Sequence, residues 1–178
     1  MKKRLSFSVF LLVSVLMLTA NTAFAQYEED TKTVTSTIEA LYEVISGPAG
    51  QERDWDRFNN LFYEGANLIP VGVTPDSVFV NIMTYDKYEE AAGQWLVQNG
   101  FFEIELSRTE ERYGHIVHAF STYGSYHTAE DVEKENPYDK GINSIQLLTN
   151  GNRWYILNVM WDSESRGSPI PEKYLKSR

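Results

Sequence analysis

The sequence contains no cysteine, and this absence bears on both anchoring and stability. A bacterial lipoprotein needs a cysteine thiol to carry its lipid, so that class is excluded. No disulfide can cross-link the chain either, whatever the compartment. We therefore expect packing, together with subunit association where it occurs, to stabilise the fold.

Basic residues are also few, with 16 Lys and Arg against 25 Asp and Glu and a net charge of −9. Nucleic-acid binding without sequence preference needs Lys and Arg to replace phosphate counterions. The acidic chain is therefore not expected to bind nucleic acid or to dock on anionic lipid.

Metal and cofactor motifs are missing as well. His115 and His118 fall on opposite faces of a predicted strand, and His127 lies too far along the chain to join them. There is no HxH or HxxxH spacing, phosphate-cradling glycine loop, nucleophile elbow or dinucleotide fingerprint. The sequence predicts no metal site and no cofactor.

The one long apolar run, Leu5 to Thr19, is short for a membrane span. It follows Lys2, Lys3 and Arg4 and precedes Ala23-Phe24-Ala25, the order found in a secretory signal peptide. We expect residues 1–25 to be cleaved, leaving a periplasmic or secreted chain with no membrane span. An uncleaved N-terminal anchor is the alternative.

The remaining chain has the length of one domain, and its helical and strand patterns predict an α+β fold. We expect that domain to cover residues 26–162. Residues 163–178 show no periodicity and predict an irregular tail in which Ile170 and Leu175 dock locally.

Three helices are predicted before most of the strands. The first begins at Val34, where apolar residues recur at helical spacing, and stops at Gly47-Pro48. Asp54 caps a shorter second helix that ends by Gly65, and Thr84 caps a third that ends at Asn99-Gly100.

Five apolar or alternating runs predict strands, and the last run contains a hairpin. Asn150-Gly151 tolerates positive φ, which predicts a type I′ turn. Because the first strand contains Pro70 and Gly72, we expect it to lie at an edge of the sheet. The predicted strand segments are Ala66–Val73, Asp76–Met83, Phe101–Arg108, Tyr113–Tyr126 and the hairpin Gly141–Trp161.

The strand from Phe101 to Arg108 alternates strictly. Phe102, Ile104 and Leu106 share one face, which we expect to be buried. Glu103 and Glu105 share the other face, which we expect to be solvated, with no selective rise in the pKa of either carboxyl.

The order of elements resembles the nuclear transport factor 2-like superfamily, also called SnoaL-like or cystatin-like, in an exported bacterial subgroup. The resemblance rests on Leu61-Phe62 before the first strand, on the run from His118 to Tyr123, and on the run from Gly141 to Ile156. It implies a cone in which three N-terminal helices pack on a strongly curved, mainly antiparallel sheet, with a pocket at the open end.

Superfamily members include ketosteroid isomerases, polyketide cyclases, dehydratases, and modules for binding or dimerisation. The isomerases use a general-base Asp, a first-helix Tyr and a protonated Asp. In this chain the base position aligns with apolar Leu68-Ile69-Pro70. Tyr42 nearly matches the Tyr, and the third group falls near Ile145. The resemblance therefore argues against an isomerase of that type.

His118 is the principal catalytic candidate, because the superfamily register suggests that its strand face looks into the cone. It would act as general base with Tyr42 as hydrogen-bond donor, if the chain is an enzyme. A neutral histidine bonded to a neighbouring strand is the alternative.

The candidates for ligand binding are aromatic residues expected in the cone and amides that interrupt apolar strands. The aromatic residues fit a plain core equally well. These candidates are Trp55, Phe58, Trp95, Phe120, Gln146 and Asn158.

Three interpretations remain open. The cone could bind a small apolar or amphipathic molecule, could catalyse an isomerase, cyclase or dehydratase reaction, or could be filled by its own side chains and serve as a dimeric scaffold. We expect a homodimer in each case, because Ile145 and Leu147 lie on one sheet face and Leu148 on the other.

Overall fold

The structure is a computed structural model that describes residues 27–176. The predicted signal peptide lies outside the described residues. Within the described residues, four α-helices and several 3₁₀ or π-helical turns accompany seven strands. None of the helices within residues 27–176 is long and apolar enough to cross a membrane. The strands are β1 Phe62–Thr74, β2 Ser77–Val80, β3 Met83–Thr84, β4 Phe102–Tyr113, β5 Ile116–Tyr126, β6 Asp139–Thr149 and β7 Trp154–Ser163.

The strands form one sheet in the order β2-β1-β7-β6-β5-β4, and β3 pairs with β1 beside β2. All neighbouring strands are antiparallel except β1 and β7, which are parallel. The helices pack on one face of this sheet. The predicted α+β cone with a mainly antiparallel sheet is confirmed.

Helix α1, Val34–Ile45, forms where the sequence predicts it. Thr33 caps it, because its hydroxyl accepts a hydrogen bond from the Ser36 amide while the Ser36 hydroxyl accepts one from the Thr33 amide. Ile38 is fully buried on the face that packs against the sheet. This face meets core residues of β5, β6 and β7: Val117, Ala119, Ile145, Leu147, Ile156 and Val159.

Helix α2, Trp55–Asn60, ends before the predicted stop at Gly65, because the chain enters β1 at Phe62. The third helix is irregular. A 3₁₀ turn at Tyr85–Lys87 and a π-helical turn at Glu89–Gly93 lead into α3, Gln94–Asn99.

The prediction that the first strand is an edge strand is wrong, because β1 has partners on both sides. Pro70 is tolerated because β3 pairs only with Asn67 and Leu68, whereas β2 pairs from Val71 onward. Its missing N–H therefore falls in the gap between β2 and β3.

The hairpin between β6 and β7 turns at the predicted place but not with the predicted geometry. Thr149 pairs with Trp154, so four residues form the loop rather than two. The Asn150 side-chain oxygen accepts hydrogen bonds from the amides of Asn152 and Arg153, at 3.0 and 3.1 Å. Gly151 takes a φ of +94°. The side chain of Asn150 thus replaces the tight backbone turn.

Two connections also differ from the prediction. Strand β4 continues beyond its predicted end at Arg108 and reverses at Gly114, where φ is +55°. The predicted loop between β5 and β6 contains a short helix, α4, Ala129–Glu133, whose cap is Thr128.

The segment after β7 contains two 3₁₀ turns, Glu164–Arg166 and Glu172–Tyr174, and crosses the face of the sheet opposite the helices. Ile170 is buried, whereas Leu175 is 43% exposed. The Thr122 hydroxyl donates a hydrogen bond to the carbonyl of Tyr174 at 2.7 Å, and the Tyr174 ring packs edge-on against Phe120.

Arg53 joins the carboxyl ends of α1 and α3 at one end of the cone. Its side chain is 6% exposed and donates to the carbonyl oxygens of Ile45 and Gly47, at 2.9 and 2.8 Å, and to that of Leu96 at 3.3 Å. The buried guanidinium gives these carbonyls charged donors, in addition to the amides of Phe101 and Gly100 that already bond Gly47 and Leu96.

We predict that Arg53→Ala lowers the free energy of unfolding by about 2–4 kcal/mol, because buried carbonyls lose charged donors. Urea unfolding followed by circular dichroism measures the loss. Arg112→Ala is the matched control, since Arg112 is exposed and its guanidinium lies over the aromatic ring of Trp154. Its cost should stay below about 1 kcal/mol. Equal losses in the two variants would contradict the role given to Arg53.

Candidate functional site

A cavity of about 200 Å³ opens between the helices and the concave face of the sheet. Helix α1 and the irregular helical segment form one wall, and the inner face of the sheet forms the other. Most of the lining is aliphatic or aromatic, and Glu103 and Asn143 are its main polar groups. The lining side chains are Leu41, Ile45, Phe58, Leu68, Tyr88, Ala92, Trp95, Leu96, Phe101, Glu103, Asn143, Val159 and Trp161.

Glu103 enters this cavity from the start of β4. It pairs with Ser125 of β5, so both side chains lie on the inner face of the sheet. Its backbone amide donates a hydrogen bond to the Ser46 hydroxyl at 2.9 Å, which fixes β4 against the end of α1. Asn143 donates a hydrogen bond to the Glu103 carboxyl oxygen at 3.2 Å.

The surroundings of Glu103 raise the pKa of its carboxyl group towards neutral pH. Burial raises the pKa of the Glu103 carboxyl to about 7, while hydrogen bonds from Asn143 and Ser125 act in the opposite direction. Near neutral pH the carboxyl can therefore be charged or neutral at little cost, and it can accept or release a proton.

The prediction that Glu103 and Glu105 lie on a solvated strand face is wrong. Ile104 and Leu106, which were expected in the core, are each 37% exposed, whereas both glutamates are more protected. A β-bulge between Glu105 and Ser107 interrupts the pairing of β4 with β5. Beyond the bulge, the alternation of inward and outward side chains along β4 is shifted by one residue. The expectation of no selective pKa rise is also wrong, because burial raises the pKa of the Glu103 carboxyl to about 7, whereas hydrogen bonding from Ser121 and the charge of Arg108 oppose the rise at Glu105.

Tyr42 lies beside Glu103 in a directed chain of hydrogen bonds. The Asn143 amide donates to the Tyr42 hydroxyl at 3.0 Å, and the Tyr42 and Ser121 hydroxyls lie 2.7 Å apart. Ser121 donates its one proton to the carboxylate of Glu105, so Tyr42 must donate to Ser121. Tyr42 is 4% exposed, and its proton is used inside the protein rather than directed at a ligand.

His118 does not join Tyr42. Val117 and Ala119 point at the helices, so His118 between them points to the opposite face of the sheet. Its Nε2 lies 3.1 Å from the Ser144 hydroxyl, and its ring packs near Phe120. The expectation that this strand face looks into the cone is therefore wrong, and the sheet separates the two candidates.

The six predicted ligand-binding residues divide into two groups. Phe58 and Trp95 line the cavity, and Trp55 packs edge-on behind Phe58 at 5.5 Å between ring centroids. The other three share the outer face of the sheet with His118, as their strand pairings require. These are Phe120, Gln146 and Asn158.

The sequence interpretation missed Asn143 and Tyr88 and placed Glu103 on a solvated face. Both faces of β5 carry apolar residues, so hydrophobic periodicity alone did not choose the inner face. The small polar residues offered a usable signal, because Ser121 pairs with Asn143 and Ser125 pairs with Glu103. Such cross-strand polar pairs indicate a shared buried network.

We predict that Glu103→Gln makes stability less dependent on pH. Because the folded pKa is raised, the folded state holds this proton while the unfolded state releases it. Stability is therefore lost as pH rises from about 4.5 through about 7. Above that range, at pH 8, the variant should be more stable than the wild type by roughly 1–3 kcal/mol. The gap should close by pH 4.

Urea unfolding at a series of pH values measures this gap. Glu133→Gln, an exposed position on α4, is the control and should follow the wild type throughout. Parallel curves for wild type and Glu103→Gln would contradict a buried, shifted carboxyl.

No family model and no curated protein matches the sequence. Solved structures do match. A nuclear transport factor 2-like superfamily protein from Salmonella enterica serovar Typhimurium LT2 aligns over 84% of this chain and 95% of its own, with a TM-score of 0.53 and 13% identity. The crystal structure of LinA aligns over 84% of this chain and 89% of its own, with a TM-score of 0.52 and 8% identity.

At these identities the likeness concerns the fold, and it leaves function to the residues of the site. Helix order, sheet topology and the cavity on the concave side agree with the architecture that the sequence resembles. The chain therefore has the nuclear transport factor 2-like, or cystatin-like, fold.

Proposed function

We propose that the protein binds a small molecule in the cone cavity, with an apolar body against the aromatic wall and one polar group against Glu103 and Asn143. The observation that carries this proposal is the pair of polar side chains in an otherwise apolar, open-ended cavity. Binding sites commonly combine an apolar lining with a few convergent polar groups.

The size of the cavity limits the ligand. A dry apolar cavity of about 150 Å³ accommodates one benzene ring. The cone cavity, at about 200 Å³, therefore suits a single ring with a short substituent or a compact branched chain. Unfilled space of this size favours ligand binding over a scaffold whose cone is filled by its own side chains.

We also propose that binding takes place outside the cytoplasm and in a homodimer. The N-terminal pattern of basic residues, apolar run and Ala23-Phe24-Ala25 supports export. Exposed apolar residues on the β1–β2 hairpin support association, since Val78 is 70% exposed and Val80 is 48% exposed.

The Glu103 carboxyl group supports a second candidate function, the transfer of a proton to or from a bound ligand. A carboxyl whose pKa is raised to about 7 is suited to act as general base or acid at neutral pH. Glu103 would then replace His118 in the enzymatic interpretation. Deuterium exchange at the α-carbon of cyclohexanone in heavy water, with and without the Glu103→Gln substitution, tests this candidate.

We predict that the wild type binds at least one of three single-ring probes, benzyl alcohol, benzylamine or benzoate, with a Kd of about 1 mM or lower. Ala92→Leu should weaken that binding several-fold, and Ala92→Trp should weaken it at least tenfold, because larger side chains fill the cavity that Ala92 lines. Ligand-observed NMR titration measures the affinities.

Ala129→Trp is the control, because Ala129 is exposed on α4 and is not among the residues that line the cavity. Urea unfolding of each variant establishes that it folds. Absence of binding by all three probes, or unchanged binding in folded Ala92→Trp, would overturn the proposed function.

A further inference from the structure

The polar end of the cavity has a marked charge imbalance. Glu103 projects a carboxyl group into the cavity, and among the described side chains that line it there is no Lys, Arg or His. Its known partners are the neutral Asn143 amide and Ser125 hydroxyl. A partly buried carboxylate without a cationic partner is costly, and a cation supplied from outside the chain would relieve that cost.

The aromatic wall strengthens this electrostatic argument. Four aromatic side chains besides Phe58 line the same space, and aromatic faces attract ammonium groups through the negative potential of their π-systems. Trp95 is 48% exposed and stands near Phe101, with 6.0 Å between the ring centroids. The four are Tyr88, Trp95, Phe101 and Trp161.

Glu103 also lines a second, acidic depression next to the cavity. This depression is lined by Glu39, Glu43 and Glu105 of α1 and β4 together with Glu103 itself. The chain as a whole has a net charge of −9. Such a field concentrates cations near the cavity and repels anions.

We propose that the ligand of the cone cavity is a small organic cation, a primary amine on an apolar body of single-ring size, whose ammonium group pairs with Glu103 while its body lies against the aromatic wall. This inference rests on the proposed function and specifies its ligand class. It excludes carboxylates and other anions, which would meet Glu103 with like charge.

Amine binding should depend on pH through Glu103. Protonation of Glu103 removes the ion pair, so affinity should fall as pH drops below about 7. The neighbouring tyrosines stay neutral across this range, because burial raises the pKa of each. Glu105 has an ion pair with Arg108 at 3.2 Å. The titratable and charged groups around Glu103 are Tyr42, Tyr88, Tyr138, Glu39, Glu43 and Glu105, together with Arg57 and Arg108, which pair with Glu43 and Glu105.

The test compares benzylamine with its neutral isostere benzyl alcohol and with benzoate, by NMR titration or calorimetry on the wild type at pH 8. We predict that benzylamine binds at least tenfold more tightly than benzyl alcohol and that benzoate binds most weakly. Between pH 8 and pH 5.5 the affinity for benzylamine should fall at least tenfold, whereas that for benzyl alcohol should change less than threefold.

Glu103→Gln separates charge from shape. The variant should lose at least tenfold in affinity for benzylamine and keep its affinity for benzyl alcohol within about threefold, which also shows that it folds with an intact cavity. Glu133→Gln should leave both affinities unchanged. Equal binding of amine and alcohol by the wild type, or unaltered amine binding in Glu103→Gln, would overturn the cation inference alone. Failure of all three probes would overturn the proposed function with it.

Discussion

The alternation of side chains across the curved sheet decides which chemical groups enter the cone. Paired residues on neighbouring strands share a face, so one register orients β4 to β7 together. Val117 pairs with Leu147 and faces the helices, whereas His118 pairs with Gln146 and faces away. The same register sets Glu103 against Ser125 inside the cone. The acidic group of the cavity is thus a consequence of how the apolar core packs.

A carboxyl group in this position lowers stability at neutral and higher pH. Burial raises the pKa of Glu103 to about 7, and an apolar residue there would avoid the cost of desolvating a charge. Sites that keep a costly charged group without a cationic partner are often sites of function, where a ligand completes the pairing. The hydrogen bond from Asn143 orients the carboxyl but does not neutralise it. The same carboxyl group therefore lowers the stability of the fold and provides the charged group of the cavity.

Much of the fold could be predicted from the sequence, because helix periodicity and turn residues are local signals. The first helix begins at Val34 as predicted, and the last hairpin turns at Asn150-Gly151. The interior of the site could not be predicted, because Ile104 and Leu106 alternate with Glu103 and either face of that strand could have been buried. The choice depends on pairing with β5, which is a long-range contact. His118 was misplaced for the same reason, since apolar residues lie on both faces of its strand.

Ligand binding in the cone, as proposed, depends on the Glu103 carboxyl, which lines the cavity and whose pKa burial raises to about 7. NMR titration of the glutamate side-chain carboxyl carbons, with the Glu103 signal assigned through the Glu103→Gln variant, measures this directly. The account predicts a pKa of about 7 without ligand and a lower value when benzylamine is bound, because a cation favours the ionised carboxylate. A pKa near 4.3, the ordinary value for a solvated glutamate, unchanged by the amine, would contradict the account.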